Sequence, residues 1–384
     1  MSDAGADRPP ASPYSRTEYR ALEGFILAVT PFNFTAIGGN LVGAPVIVGN
    51  VCLWKPSPMA TYANYLTHKI LLEAGVPGPV IQFVPGDAPT LVKQCTDHKE
   101  FAGLHFTGST HVFKGLFKQI ANNVDLYRSY PRVVGETGGK NFHMIHKSAD
   151  LRETVIQSIR SAFEYSGQKC SALSRAYVPR SMWEAGWGDV MKTEVEKLQV
   201  GPCEDFKNFV GPVINEASYD KITGIIAEAK EAGGEVLVGG TGDKSKGYFV
   251  NPTVIVTKDP KSVSMVKEIF GPVLTVFVYE DDEWEATCKI VDSTTQYALT
   301  GSIFAADRSV VVKAQQLLRN SAGNFYINDK STGAVVGQQP FGGGRASGTN
   351  DKSGSASIFQ RFTSPRSIKE NFVGVAGTLY PSNA

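Results

Sequence analysis

Val134-Gly135-Glu136-Thr137-Gly138-Gly139-Lys140-Asn141 sets one carboxylate on a glycine-flanked bend, and the chain on either side of it decides the fold. Ahead of the bend, residues 25–30, 80–84 and 104–107 read as strands, and another strand lies within 44–54. Between them come helical patterns at 59–75, where Tyr62, Tyr65, Leu66, Ile70 and Leu71 recur at helical spacing, and at 109–122. Past the bend a second block opens with a strand at 141–145. It alternates helices at 150–165, 180–198, 216–232 and 282–292 with strands at 176–178, 253–256, 274–279 and 302–305. This strand–helix–strand rhythm predicts parallel sheets covered by helices. The class is α/β with two parallel-sheet domains, residues 20–138 and 139–345, divided at Gly138-Gly139. The strands at 25–30 and 80–84 look fully apolar and are expected to lie between helix layers. Residues 1–19 are expected to be a disordered leader. Residues 346–384 turn Gly- and Ser-rich and then give a short apolar run at 372–379.

The reactive parts sit near the same bend. Phe163-Glu164-Tyr165-Ser166-Gly167-Gln168-Lys169-Cys170-Ser171-Ala172 places one thiol just past a Gly-Gln turn. Pro31-Phe32-Asn33-Phe34 places an amide directly after the apolar run 25–29. A lone Cys is more often a small buried apolar residue, and an Asn after a strand is more often a turn former. Together with Glu136 they form a soft nucleophile, a neutral donor and a base, the set that covalent chemistry on a carbonyl requires. Cys170 has to react as a thiolate. The Asn33 amide and the Cys170 backbone N–H would hold the oxyanion, and Glu136 would activate the water that hydrolyses the thioester, best with a pKa raised by burial.

Bulk properties exclude several classes. A chain of 384 residues can bury a large core, and its net charge of +1 with interspersed signs gives no nucleic-acid footprint. No apolar run approaches the ~20 residues that span a bilayer. The five cysteines are far apart with no CxxC pair, which argues for a reducing compartment. His143 and His146 lack a ligand cluster around them, so no metal site is expected.

The chain resembles the aldehyde dehydrogenase superfamily. The resemblance is carried by Thr30-Pro31-Phe32-Asn33-Phe34-Thr35, Leu53-Trp54-Lys55-Pro56-Ser57, Phe106-Thr107-Gly108-Ser109, the segments around Glu136 and Cys170, and Lys267-Glu268-Ile269-Phe270-Gly271-Pro272. It runs from about residue 19 to about residue 373. The stretch 328–348, opening Asn328-Asp329-Lys330-Ser331-Thr332-Gly333, resembles the branch that oxidises L-glutamate γ-semialdehyde to L-glutamate in proline breakdown. The resemblance implies NAD as cofactor, a small-molecule aldehyde as substrate, and 346–384 as a bridging or oligomerisation segment. There is no GxGxxG. The turn at Phe106-Thr107-Gly108-Ser109-Thr110, with His111 and Val112 after it, would instead meet a pyrophosphate with free N–H groups and the helix dipole. Thr30 belongs to the same site, Lys55 and Glu268 would hold the riboses, and Phe270 would pack near the nicotinamide. For the substrate, the backbone of Gly333 and Ala334 would grip the α-carboxylate, and relatives often carry Ser where this chain has Ala334. Ser171 would add a donor, while Phe34 and Phe341 would sandwich the aliphatic chain.

Full-length relatives carry a longer portion ahead of the segment matching Phe25, and they are homo-oligomers of the mitochondrial matrix. Residues 1–15 show no import signal, which leaves a cytoplasmic location as the alternative. From that difference the expectation is exposed apolar faces, open sheet edges and low stability. The second reading of function is accordingly a weakly active or inactive form that serves at most as a binding or interfering subunit.

Overall fold

The computed structural model describes residues 14–372, 374 and 377–383. Strands β2 (Phe25–Val29), β3 (Val51–Lys55), β4 (Ile81–Phe83), β5 (Phe101–Thr107) and β6 (Arg132–Glu136) form a five-stranded parallel sheet in the order β4-β3-β2-β5-β6. Alternation along these strands loads both faces. Ile26, Ala28, Cys52 and Trp54 pack with Leu41 and Val42 of helix α1 (Thr35–Ile47) and with Ile358 and Phe362 from near the C-terminus. Leu27, Leu104 and Phe106 pack the other way, against Val92 of α3 (Ala88–Thr96) and Phe113, Leu116 and Ile120 of α4 (Thr110–Asn122). Ile26, Leu27 and Ala28 are fully buried, as a doubly covered parallel sheet demands.

The second sheet has seven strands. Its order is Asn324–Ile327, Thr300–Phe304, β7 (Asn141–Ile145), β8 (Leu173–Pro179), Val273–Tyr279, Thr253–Thr257 and β9 (Glu235–Val238). All neighbours are parallel except β9. On one face Val155, Ile159, Ala162 and Phe163 of α5 (Leu151–Phe163) pack with Trp187, Met191, Ala176 and Val178. On the other, Met144, Tyr177 and Ile303 meet Cys288, Val291, Val310 and Val311. The chain passes from one sheet to the other between Glu136 and Asn141. Residues 346–349 seal this passage: Thr137 N donates to Ser347 O at 2.9 Å, and Thr349 N donates to Gly135 O at 2.9 Å.

Three expectations need correction. Residues 14–19 are not leader: β1 (Tyr14–Ala21) pairs antiparallel with Thr363–Glu370, from Tyr14↔Glu370 to Ala21↔Thr363. Residues 1–13, and 373, 375 and 376 of the C-terminal apolar run, lie outside the described residues. β4 is not a covered central strand; it pairs on one side only, and Gln82 is exposed. The strand read within 44–54 is β3, while residues 44–47 end α1, whose glycines and Pro45 leave no amphipathic period to detect. Helix α2 (Thr61–Glu73) forms where expected, but its Tyr62 and Ile70 are 74% and 63% exposed, and its buried residue is Asn64. Helix α2 therefore turns part of its apolar face outward.

Candidate active site

β2, β3, β5 and β6 end together, and their carboxyl ends open onto one cleft of ≈ 390 Å³. Ligands of open α/β sheets bind at that edge. Thr30, Asn33, Lys55, Gly108, Ser109, Val112, Glu136, Cys170, Glu268 and Phe270 all line it. Residues as far apart in the chain as Val29 and Phe270 are thus brought within one volume.

The loop carrying Cys170 is held from several sides. Tyr165 and Ser166 take left-handed φ of 56° and 57° between α5 and β8. Ser166 Oγ donates to Gly211 O at 2.8 Å, and Gln168 Oε1 accepts from Ile214 N at 2.9 Å. Asn33 Nδ2 donates to Gln168 O at 3.1 Å. Asn141 Nδ2 donates to the carbonyls of Cys170 at 2.8 Å and Ala172 at 2.7 Å. Position 139 has to be glycine, since a Cβ there would fall 2.3 Å from Cys170 O.

The electrostatics bear unequally on the two groups: a raised Glu136 suits a base, whereas a raised Cys170 opposes thiolate formation. Burial pushes the Glu136 carboxyl up to about 8, with a hydrogen bond from Cys170 opposing and the Glu268 charge adding. Its Oε1 is buried without a hydrogen-bond partner. Burial, then the charges of Glu136 and Glu268, raise Cys170 as well. Thiol and carboxyl therefore titrate as a coupled pair that resists carrying two negative charges. Glu268 is raised by burial, while its Oε1 accepts from Gly139 N at 2.9 Å and Lys221 and Lys140 attract it. Lys55 is 2% exposed and donates to Pro56 O.

Other expected residues lie nearby but do not line this cleft. Thr110 is buried at the start of α4 and accepts from Gly138 N at 3.2 Å; His111 beside it is exposed. The Phe34 ring stacks on Tyr165 at 5.4 Å, whereas Phe341 pairs through its backbone with Ser353. Ser171 Oγ and Thr332 Oγ1 share a hydrogen bond of 2.7 Å, next to Gly333 and the half-buried Ala334. His143 Nε2 accepts from Ser331 N at 3.2 Å and its Nδ1 meets Ser158 Oγ at 3.0 Å. Burial pushes this imidazole down to about 3. Among the described residues, no group of three or more His, Cys, Asp and Glu is placed to hold a metal ion.

Several contributors were not singled out from sequence: Lys221 in the cleft wall, Asn141 and Gln168 behind the nucleophile loop, and Tyr165 against Phe34. Asn141 and Gln168 stood inside the quoted motifs, yet a buried amide that ties down carbonyls has no signature of its own.

The cleft suits a dinucleotide. Gly108 packs so close that a Cβ would lie 2.7 Å from the Phe106 ring, leaving the backbone bare where α4 begins. Ser109 caps that helix, its Oγ accepting from Val112 N at 3.4 Å. The buried Lys55 ammonium and the Glu268 carboxyl line the same cleft.

Fold and site together define an NAD-type aldehyde oxidoreductase architecture, and the chain belongs to the aldehyde dehydrogenase family, which matches residues 6–368. It is 61% identical over 381 residues to the delta-1-pyrroline-5-carboxylate dehydrogenase of Agaricus bisporus, covering 98% of this chain and 70% of that one. A Schizosaccharomyces pombe protein named as a probable delta-1-pyrroline-5-carboxylate dehydrogenase is 56% identical, with 100% and 71% covered. Among solved structures, the Delta-pyrroline-5-carboxylate dehydrogenase of Mycobacterium tuberculosis bound with NAD superposes with a TM-score of 0.92 at 45% identity, covering 100% of this chain and 70% of that one. The chain thus spans about seven tenths of the length of these relatives.

Proposed function

We propose that this protein oxidises L-glutamate γ-semialdehyde, the open form of pyrroline-5-carboxylate, to L-glutamate, with NAD as cofactor, in proline breakdown. The observation that carries the reading is the meeting of Cys170, Glu136 and Asn33 in the cleft that also holds Lys55, Gly108 and Glu268. Relatives at 56–61% identity are named for this activity. Several relatives are named mitochondrial, and the same location is proposed here. Assembly into a homo-oligomer is also part of the proposal, as is the division of labour at Gly138-Gly139 between a cofactor half and a nucleophile half. A merely binding or interfering role is not favoured, because relatives named for this activity match nearly all of this chain.

Cys170 Sγ bonds to the aldehyde carbon after losing its proton. The Asn33 amide and the Cys170 backbone N–H hold the resulting oxyanion. Bound NAD supplies the hydride acceptor. Glu136, buried and poised at about 8, takes a proton from the water that opens the thioester. Lys55 and Glu268 orient the sugars, and Phe270 closes the wall. Ser171 and the backbone of Gly333-Ala334 hold the substrate's carboxylate end.

NADH absorbance measured with and without the semialdehyde tests this. Turnover dependent on the semialdehyde and abolished in Cys170→Ala is expected; turnover that survives Cys170→Ala ends the covalent mechanism.

A further inference from the structure

The backbone just ahead of the nucleophile has a fastening that the mechanism above leaves unused. Tyr165 and Ser166 hold left-handed φ of 56° and 57°, a region that non-glycine residues keep only where their surroundings over-determine them. Glu164 opens this segment. Its carboxylate takes two ammonium groups at once, Lys169 on Oε2 at 2.9 Å and Lys330 on Oε1 at 2.7 Å. Lys169 precedes Cys170 in the chain. Lys330 stands at the base of the loop that leads to Ala334, and a Cβ on Gly333 would lie 3.4 Å from its Cε.

The three side chains are largely shielded, with 25% of Glu164, 13% of Lys169 and 26% of Lys330 exposed, so salt screens them less than a rim pair. Burial alone would push the Glu164 carboxyl up, yet the bonds from Lys330 and Lys169 hold it below its ordinary range. Two hydroxyl contacts join the same loops, Ser171 with Thr332 at 2.7 Å and Ser161 with Ser331 at 3.0 Å. Those are neutral pairs. Removing the Glu164 carboxylate would leave two ammonium groups facing each other, and like charges at such range push the loops apart.

We propose that Glu164 is a positioning residue that, by gripping Lys169 and Lys330 together, sets the separation between Cys170 Sγ and the backbone of Gly333-Ala334. The proposal rests on the activity proposed above, because that separation then selects the length of a carboxylated aldehyde. A substrate gripped by its carboxylate at one loop and attacked at its carbonyl by the other is measured by the gap. An aldehyde without a carboxylate is not.

The test follows NADH for the wild-type protein and Glu164→Gln on L-glutamate γ-semialdehyde, on L-aspartate β-semialdehyde, one methylene shorter, and on propanal. For Glu164→Gln, kcat/KM on the glutamate compound should fall about tenfold or more, mostly through KM, and preference over the shorter compound should collapse from the ~10-fold or more that a methylene is worth. Propanal turnover should change by less than about threefold. Lys330→Met cuts one arm only and should lose the same preference, which keeps the idea refutable where Glu164→Gln does not fold. Equal losses on all three aldehydes, or an unchanged length preference in the folded variants, overturns the proposal. A wild-type protein that prefers propanal to the glutamate compound overturns the activity instead.

Discussion

Asn33 Nδ2 donates to Gln168 O at 3.1 Å, which ties the proposed oxyanion donor directly to the loop that carries the nucleophile. The bond also settles the amide's orientation, because only the nitrogen can face a carbonyl oxygen. Among the described residues the second N–H of this amide has no partner, and Asn33 lines the cleft beside Cys170.

Asn33→Ala should therefore lower kcat by about 10²–10³-fold, the usual effect of losing one oxyanion donor. Alkylation of Cys170 by iodoacetamide should proceed at close to the wild-type rate, since the thiol is still present. A fall in kcat of less than about tenfold would mean that another group holds the oxyanion.

Glu136→Gln should separate the two halves of the reaction. A first equivalent of NADH forms rapidly, and a slow steady rate follows because thioester hydrolysis lacks its base. In the wild-type protein the hydrolysis rate should climb with pH and level off above about 8, where the Glu136 carboxyl has lost its proton. Single-turnover traces across pH 6–10 provide the check. Loss of the burst itself in Glu136→Gln would place the residue earlier in the sequence of steps.

The same carboxyl leaves a mark on stability. Glu136 binds its proton up to about 8 when folded, but only up to the ordinary carboxylate range when unfolded. Between those limits the folded state holds the extra proton, so stability falls as pH rises, by at most about 1.4 kcal/mol per unit crossed. His143 and His105, pushed down by burial to about 3 and about 4, act in the opposite sense. They stay neutral in the folded chain while the unfolded chain protonates them below its ordinary imidazole range, so stability is lost as pH falls through that range. Tm measured from pH 4 to 9 should pass through a maximum, and Glu136→Gln should flatten the alkaline side while steepening the acid side, because this carboxyl opposes the two histidines there. An identical alkaline slope in the variant would rule out Glu136 as its source.

Much of the architecture was legible because period and punctuation agreed. Residues 104–122 combine an apolar strand, a Gly-Ser break with a capping hydroxyl, and an amphipathic helix, and all three formed, the strand starting earlier than read, at Phe101. Cys170, Glu136 and Asn33 each stood in a distinctive local context, and the fold brings all three to one cleft. Orientation was not. In α2 the 3.6-residue period located the helix, but Tyr62 and Ile70 point outward and Asn64 inward, since periodicity names a stripe without naming what covers it. Nor could spacing show that Phe34 stacks on Tyr165 and that Phe341 sits opposite Ser353, because ring partners are chosen by loop geometry. The ribbon of β1 with Thr363–Glu370 joins segments some 350 positions apart, and its largely exposed residues carry no burial pattern to reveal it.

Phe362 tests how far the C-terminal segment belongs to the first domain. Its side chain is fully buried in the cluster that covers β2 and β3, with its ring 5.0 Å from that of His105. Its carbonyl accepts from Asn50 Nδ2 at 2.9 Å, a bond that truncating the side chain leaves in place. Phe362→Ala thus removes packing alone, and the loss in a close-packed core should be about 3–5 kcal/mol. Phe372, ten residues on and 68% exposed, is the internal control, and Phe372→Ala should change stability by less than about 0.5 kcal/mol. Urea unfolding of both variants, followed by tryptophan fluorescence because Trp54 lies in the same cluster, gives the two values. If Phe362→Ala costs no more than Phe372→Ala, the segment merely rests on the sheet; a large difference makes it a structural layer of the cofactor half, needed for the cleft to form.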